Sequence, residues 1–234
     1  MARAREVDQA LLAREAASVL GSFAGDLPGL VTSCRRLLDR HPTAGALWWA
    51  CARLLAAGDV RAEARSIGDD LADAPAITAL NLDLPDGAVV AVVPDVAGGS
   101  ELAYELNGWR DDIVVAHDPG ALHAPREEPR VLLVEAGAAG PDGFLAAEGT
   151  ADEIAAARDA GVPVWLVVDV GRRLPARLFA ALVDRAEGPA PAVTHGRQRL
   201  TVEVVPTGGA ERVVEPRRVD CPVPPEMLRA PGGW

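Results

Sequence analysis

VLLVEAGAAGPDGFLAAEGTADEIAAARDAGVPVWLVVD, residues 131–169, decides how the rest of the chain is read. An apolar run, Val131 to Val134, ends at the acidic Glu135; a Gly/Pro loop follows; Gly149-Thr150 opens an alanine-rich helix; and a second apolar run, Val162 to Val168, ends at Asp169. The pattern predicts strand, crossover helix, strand. Both runs are apolar at successive positions rather than alternating ones, as in parallel strands covered on both faces. Ligands of such sheets sit outside the carboxyl ends of the strands, so Glu135, the loop to Gly143, Gly149-Thr150 and Asp169 are where chemistry is sought.

Working outward, the segment before this unit repeats the logic. Ala88 to Val93 reads as a buried strand, residues 94–99 as a loop, Ser100 to Leu106 as a helix start, and Ile113 to Ala116 as a short strand ending at His117-Asp118. After Asp169 a helix is predicted from about Pro175 to Arg185. Alternating strands and helices give an α/β sheet. Between Ala192 and Val214 the pattern changes: Leu200, Val202 and Val204 alternate with polar residues and glycines punctuate the run, which predicts antiparallel hairpin strands at an edge. The proline-rich tail from Cys221 is expected to be extended before one short turn.

The first seventy-odd residues are helical in pattern. Val7 to Leu20 and Leu27 to Leu38 are amphipathic, Ala44 to Ala57 is more fully apolar and holds Trp48 and Trp49, and Asp59 caps a fourth helix to about Asp73. At helical spacing among alanines and leucines, the two tryptophans are expected in a core rather than stacked on a ligand. The turn cluster Asp83 to Gly87 marks a boundary, giving a helical subdomain over 1–80 and an α/β domain over 81–234.

Composition narrows the chemistry. The net charge is −11 and all 23 basic residues are arginine, so no lysine serves as Schiff-base former, phosphate anchor or general base. The acidic balance argues against sequence-independent nucleic-acid binding, which requires phosphate neutralisation. Three scattered cysteines, Cys34, Cys51 and Cys221, form neither a disulfide framework nor a zinc pattern and point to a reducing cytoplasm. No run reaches membrane-spanning length, and the first twenty residues lack the apolar core of a signal peptide.

Specific candidates follow from position. Gly98-Gly99-Ser100, between a strand and a helix, is either a phosphate cradle of backbone N–H groups or a plain tight turn. Gly149-Thr150 has the same architecture, with Thr150 as N-cap and Glu153 completing a capping box. Asp118 and Asp169, at strand ends, are placed as a general acid or base would be. His117, Asp118 and His123 straddle a Pro-Gly turn with no partner cluster, so no metal is expected.

The PDG loop, the GT pair, the alanine-rich helix and GVPVWLVVD resemble the translation initiation factor 2B alpha/beta/delta superfamily, which includes methylthioribose-1-phosphate and ribose-1,5-bisphosphate isomerases. VVPDVAGGSELAYEL and DDIVVAHDPGAL upstream, Arg172-Arg173-Leu174, and VDCPVPPEMLRAPGG downstream extend the resemblance over roughly residues 87–233, with Asp220, Pro224, Pro225 and Glu226 matching the closing signature. It implies helices on a Rossmann-like domain, a homodimer and a small phosphorylated ligand, with no cofactor. The isomerases' acidic site residue is replaced near Gly137, with Glu135 displaced by two; their Asn-Lys pair by Ala146 and Ala147; and no cysteine lies between Cys51 and Cys221. Losing one transition-state group typically costs ~10²-fold or more. The expectation is therefore a non-catalytic binding or regulatory protein with a nucleotide or sugar-phosphate pocket at Gly98, Gly99, Ser100, Asp118, Gly149 and Thr150. The alternative is an aldose-ketose isomerase or lyase of altered mechanism using Glu135, Asp118 or Asp169. A third reading is a purely structural subunit acting by oligomerisation.

Overall fold

A computed structural model describes residues 8–72, 76–96, 101–116, 119–122, 127–187, 201–215 and 219–228. The chain begins with five helices: α1 (Gln9–Leu20), α2 (Leu27–Arg40), α3 (Gly45–Ala56), α4 (Val60–Ala72) and α5 (Ala76–Asp83). Short acidic side chains start three of them. Asp8 accepts from the N–H groups of Ala10 and Leu11, Asp26 from Gly29, and Asp59 from Arg61 and Ala62. Helix α5 was not expected from the pattern. Its AITALNLD sequence has almost no polar face, and Ile77 and Leu80 are held instead by α6 and the sheet.

The α/β part runs β1 (Val89–Val93), α6 (Glu101–Trp109), β2 (Val114–Ala116), β3 (Arg130–Glu135), β4 (Ala138–Ala139), β5 (Gly143–Ala147), α7 (Thr150–Asp159), β6 (Val164–Val167), α8 (Ala176–Glu187), β7 (Val202–Pro206) and β8 (Arg212–Val214). Five strands form a parallel sheet in the order β2-β1-β3-β6-β8. Side-chain alternation assigns its faces. Val89, Ala91, Leu132, Val134, Val164 and Leu166 pack with Ile154 and Ala157 of α7; Val90, Val131, Leu133 and Val167 pack with α5 and with Leu102 and Leu106 of α6. Helix α6 follows β1 on one face and α7 precedes β6 on the other, so the winding reverses between β1 and β3. That is the switch point at which doubly wound sheets open a crevice.

Two sequence expectations are corrected. The Gly/Pro loop after Glu135 contains strands: β4 and β5 form an antiparallel hairpin, closed by Gly140 N–H donating to the Gly143 carbonyl at 2.8 Å, and β5 pairs antiparallel with β7. Glycines hid this strand, although Phe144, Leu145 and Ala146 are fully buried. The strands between 202 and 214 do not pair with each other. β7 completes the small sheet, whereas β8 runs parallel to β6 at the edge of the large one, with the Arg212 guanidinium 4.9 Å from the Trp165 ring centroid. The first part of that segment, 188–200, and Arg217-Arg218 lie outside the described residues.

The helical layer shares its core with the α/β part. Trp48, Trp49, Leu47 and Cys51 of α3 pack in one cluster with Val96, Ala138, Leu145, Leu174, Leu178 and Met227. Both tryptophans are fully buried, as expected of core residues, and the guanidinium of Arg53 lies 4.7 Å from the Trp49 ring. Two glycines make the approach close enough. Gly45 N–H donates to the Gly137 carbonyl at 3.1 Å, and a Cβ on Gly45 would stand 2.6 Å from that oxygen. Gly171 adopts φ +77°, and a Cβ there would lie 2.9 Å from Trp49 Cε3. Gly171→Ala combines left-handed strain with overpacking and is expected to destabilise the protein by about 2–4 kcal/mol in urea unfolding. Gly58→Ala, which meets nothing within 4 Å, is the control and should stay within about 0.5 kcal/mol of the parent.

Candidate functional site at the carboxyl ends of the parallel strands

Four buried polar side chains converge on the switch point. Asp95 stands two residues beyond β1, Glu135 ends β3, Arg172 lies in the loop after β6, and Gln9 enters from the first turn of α1; they are 5, 7, 6 and 5% exposed. Gln9 Nε2 donates to Asp95 Oδ2 at 2.7 Å. Arg172 Nη1 donates to the same oxygen at 3.2 Å and to the Ala136 carbonyl at 3.0 Å. The Gln9 amide oxygen accepts from Ala46 N–H at 3.5 Å, which links α1, α3 and β1 through one side chain.

The electrostatics of this cluster are acidic. Burial alone would pull the Arg172 guanidinium down, but Asp95, Glu135, Asp169 and Asp8 act together to hold it above its ordinary range. Burial raises Asp169 above the usual aspartate range, opposed by Arg172 and by the N–H groups of Val170 and Ala76. Asp169 Oδ1 accepts from Val170 N–H at 2.8 Å. Its carboxylate also receives the first N–H of α5, so part of its role is to start that helix. Arg173 turns away from the cluster and bonds Glu215 and the Gly140 carbonyl.

The other sequence candidates fall elsewhere. Gly149-Thr150 hangs from the end of β5 in the small sheet. Gly149, at φ +94°, is itself the cap position, and the Thr150 hydroxyl donates back to the Ala147 carbonyl at 2.8 Å, so the expected capping box does not form. The Ala151 N–H in the first turn of α7 donates to Glu203 Oε1 of β7 at 2.8 Å, so an internal carboxylate already takes this donor. Gly98, Gly99, Ser100, His117, Asp118 and His123 lie outside the described residues. Among the described residues no group of three or more His, Cys, Asp or Glu side chains is arranged to hold a metal ion, and no helix is long and apolar enough to cross a membrane.

None of the thiols is poised as a nucleophile. Cys51 is buried in α3 with Cys34 of α2 as its neighbour, and the hydrogen bond between them followed by burial pushes the Cys51 thiol far up. Burial raises Cys221 to about 12. Sequence reading missed Asp95 and Gln9. Asp95 carried the same signal as Asp169, an acid just past an apolar strand. Gln9 was the polar member of the stripe formed with Ala13, Ala16, Ala17 and Leu20, whose burial only the packed structure reveals.

No family model and no curated protein matches the sequence. Solved structures do match in fold. The translation initiation factor eIF-2B of Pyrococcus horikoshii superposes with a TM-score of 0.65 at 13% identity, covering 97% of this chain and 95% of that one. A subunit of the tetrameric eIF2B-beta2-delta2 complex of Chaetomium thermophilum gives 0.62 at 17% identity, with 90 and 84% covered. The 5-methylthioribose 1-phosphate isomerase of P. horikoshii gives 0.54 at 15% identity, with 94 and 81% covered.

Breaking the Asp95–Arg172 pair from one side leaves a buried guanidinium without its closest carboxylate. Asp95→Ala should cost about 3–5 kcal/mol in urea unfolding, and Asp95→Asn, which still accepts from Gln9, distinctly less. Asp169 has the opposite sign to a salt-bridged carboxylate. Its folded pKa is raised, so the folded state favours the protonated form, and stability falls as pH rises from the unfolded value through the folded one. Asp169→Asn should therefore gain on the parent protein as pH rises through that window, read from melting temperatures across an acid-to-neutral series.

Proposed function

We propose that this chain, built on the fold shared by initiation factor 2B subunits and methylthioribose-1-phosphate isomerase, is a non-catalytic binding member of that superfamily with a regulatory or assembly role. The observation carrying this reading is the state of the switch point. Its described guanidinium is already bonded to Asp95 and a backbone carbonyl, and two thiols are pushed up, Cys51 by its hydrogen bond with Cys34 and by burial, Cys221 by burial. Thiol–carboxylate isomerisation lacks a reactive thiol there. A nucleotide or sugar phosphate remains the ligand class we assign, with Gly98, Gly99, Ser100 and Asp118 kept from the sequence as candidate ligand-binding residues. Thr150 and Gly149 would contribute from the end of β5. Such a phosphate must draw Arg172 away from Asp95 or bind through backbone N–H groups alone, so modest affinity follows.

The assembly role rests on the fold and on what the sheet leaves uncovered. Val114 on the edge strand β2 and Tyr104 on α6 are exposed, and these are positions at which a second copy would extend or cover the α/β part. A homodimer is the proposed state, read by sedimentation velocity.

The isomerase alternative keeps one point in its favour, the raised Asp169 carboxyl beside Glu135 and Arg172, which is closer to the working range of a general base than an ordinary aspartate. Turnover separates the two. Supplied with methylthioribose 1-phosphate or ribose 1,5-bisphosphate, the protein is expected to return the substrate unchanged while titration calorimetry registers binding of a pentose phosphate or nucleoside monophosphate. Product formation abolished by Asp169→Asn would instead establish the altered-mechanism isomerase.

A further inference from the structure

A second polar feature lies on the outer side of the helical layer. An open groove of about 490 Å³ runs between α1 and α4 and the turn after α1, lined by Arg14, Ser18, Ser22, Arg61 and Arg65 over a floor that includes Ala64. The helical period builds it. Arg14, Ser18 and Ser22 repeat every fourth residue along α1 and its following turn, and Arg61, Ala64, Arg65 and Gly68 follow the same stripe on α4. Small residues let the two rows approach. A Cβ on Gly21 would lie 2.9 Å from the Ala64 Cβ, and the Arg14 stem passes 3.9 Å from where one would stand on Gly68.

The three guanidiniums differ from the six described arginines that form ion pairs. Arg53, Arg110, Arg172, Arg173, Arg185 and Arg212 each hold a carboxylate. Arg14, Arg61 and Arg65 are exposed and form no ion pair within 4 Å among the described residues. The nearby Asp59 feels Arg61 and Arg65, but its carboxylate is spent on the N–H groups of Arg61 and Ala62 at the start of α4. Three like charges around one groove repel one another, and an anion between them removes the repulsion while the Ser18 hydroxyl donates to its oxygens; the Ser22 hydroxyl already donates to the Val19 carbonyl at 2.7 Å.

We propose that this groove is an anion site for a compact phosphoester or polyphosphate, with Arg14, Arg61 and Arg65 as its charged walls and Ser18 as a hydroxyl donor. It is separate from the switch point and does not depend on the reading given to it. Inorganic pyrophosphate is the probe, titrated into the full chain by calorimetry at low and moderate salt. Saturable binding that weakens with salt is expected, falling roughly tenfold for each arginine removed in Arg61→Ala and Arg65→Ala. Both positions are exposed, so the melting temperature should stay unchanged. Asp95→Asn, which alters the switch point, should leave this affinity as it is. No saturable binding by the parent protein, or unaltered binding by the Arg61→Ala/Arg65→Ala double variant, overturns the proposal; loss of pyrophosphate binding in Asp95→Asn alone would relocate the site to the switch point and overturn it equally.

Discussion

The Asp95–Arg172 pair, held from the other side by Gln9, is the constraint on which the arrangement of the molecule depends. Each partner comes from a different segment: Asp95 from the end of β1, Arg172 from the loop after β6 in the same sheet, Gln9 from the first helix. A buried ion pair adds little net stability over an apolar contact, because desolvation offsets most of the attraction. Its contribution is specificity of arrangement. Other ways of seating α1 on the sheet leave a charge or an amide without a partner in the interior, so the pair selects one docking of helices on strands among many apolar ones.

That pair also shapes what the switch point can receive. A crevice with one guanidinium and the carboxylates of Asp95, Glu135, Asp169 and Asp8 around it carries excess negative charge when all are ionised. The raised Asp169 relieves part of that excess by holding its proton to higher pH. An anionic ligand meets an environment already supplied with anions, whereas the α1–α4 groove on the far side presents cations without carboxylates bonded to them. The fold thus separates a carboxylate-rich inner face from an arginine-rich outer one.

Much of the architecture was legible because it follows from local rules. The continuous apolar runs Ala88–Val93, Val131–Val134 and Val162–Val168 read as strands covered on both faces, and Asp59 marked a helix start directly, whereas the caps Asp8 and Asp26 were not singled out. The parts that escaped notice depend on tertiary contact. Gly143–Ala147 looks like a loop until β7 lies beside it, and Ala76–Asp83 is helical because the sheet and α6 enclose it rather than because of its own periodicity. The site divided the same way. Glu135 and Asp169 were found from strand-end position; Gln9 and the bond that Arg172 makes to Asp95 were not, since a glutamine on an apolar stripe gives no sign of the residue 86 positions away that it will meet. Thr150 was misread because its hydroxyl faces backward to Ala147 instead of forward along the helix.

Gly45 and Gly137 meet backbone to backbone, with no side chain between α3 and the start of the small sheet. Contacts cushioned by flexible side chains let two layers slide, whereas this one is as stiff as the main chain itself. The helical layer therefore meets the sheet main chain to main chain beside the strand mouth, and a methyl group grafted onto Gly45 would have to wedge the two apart.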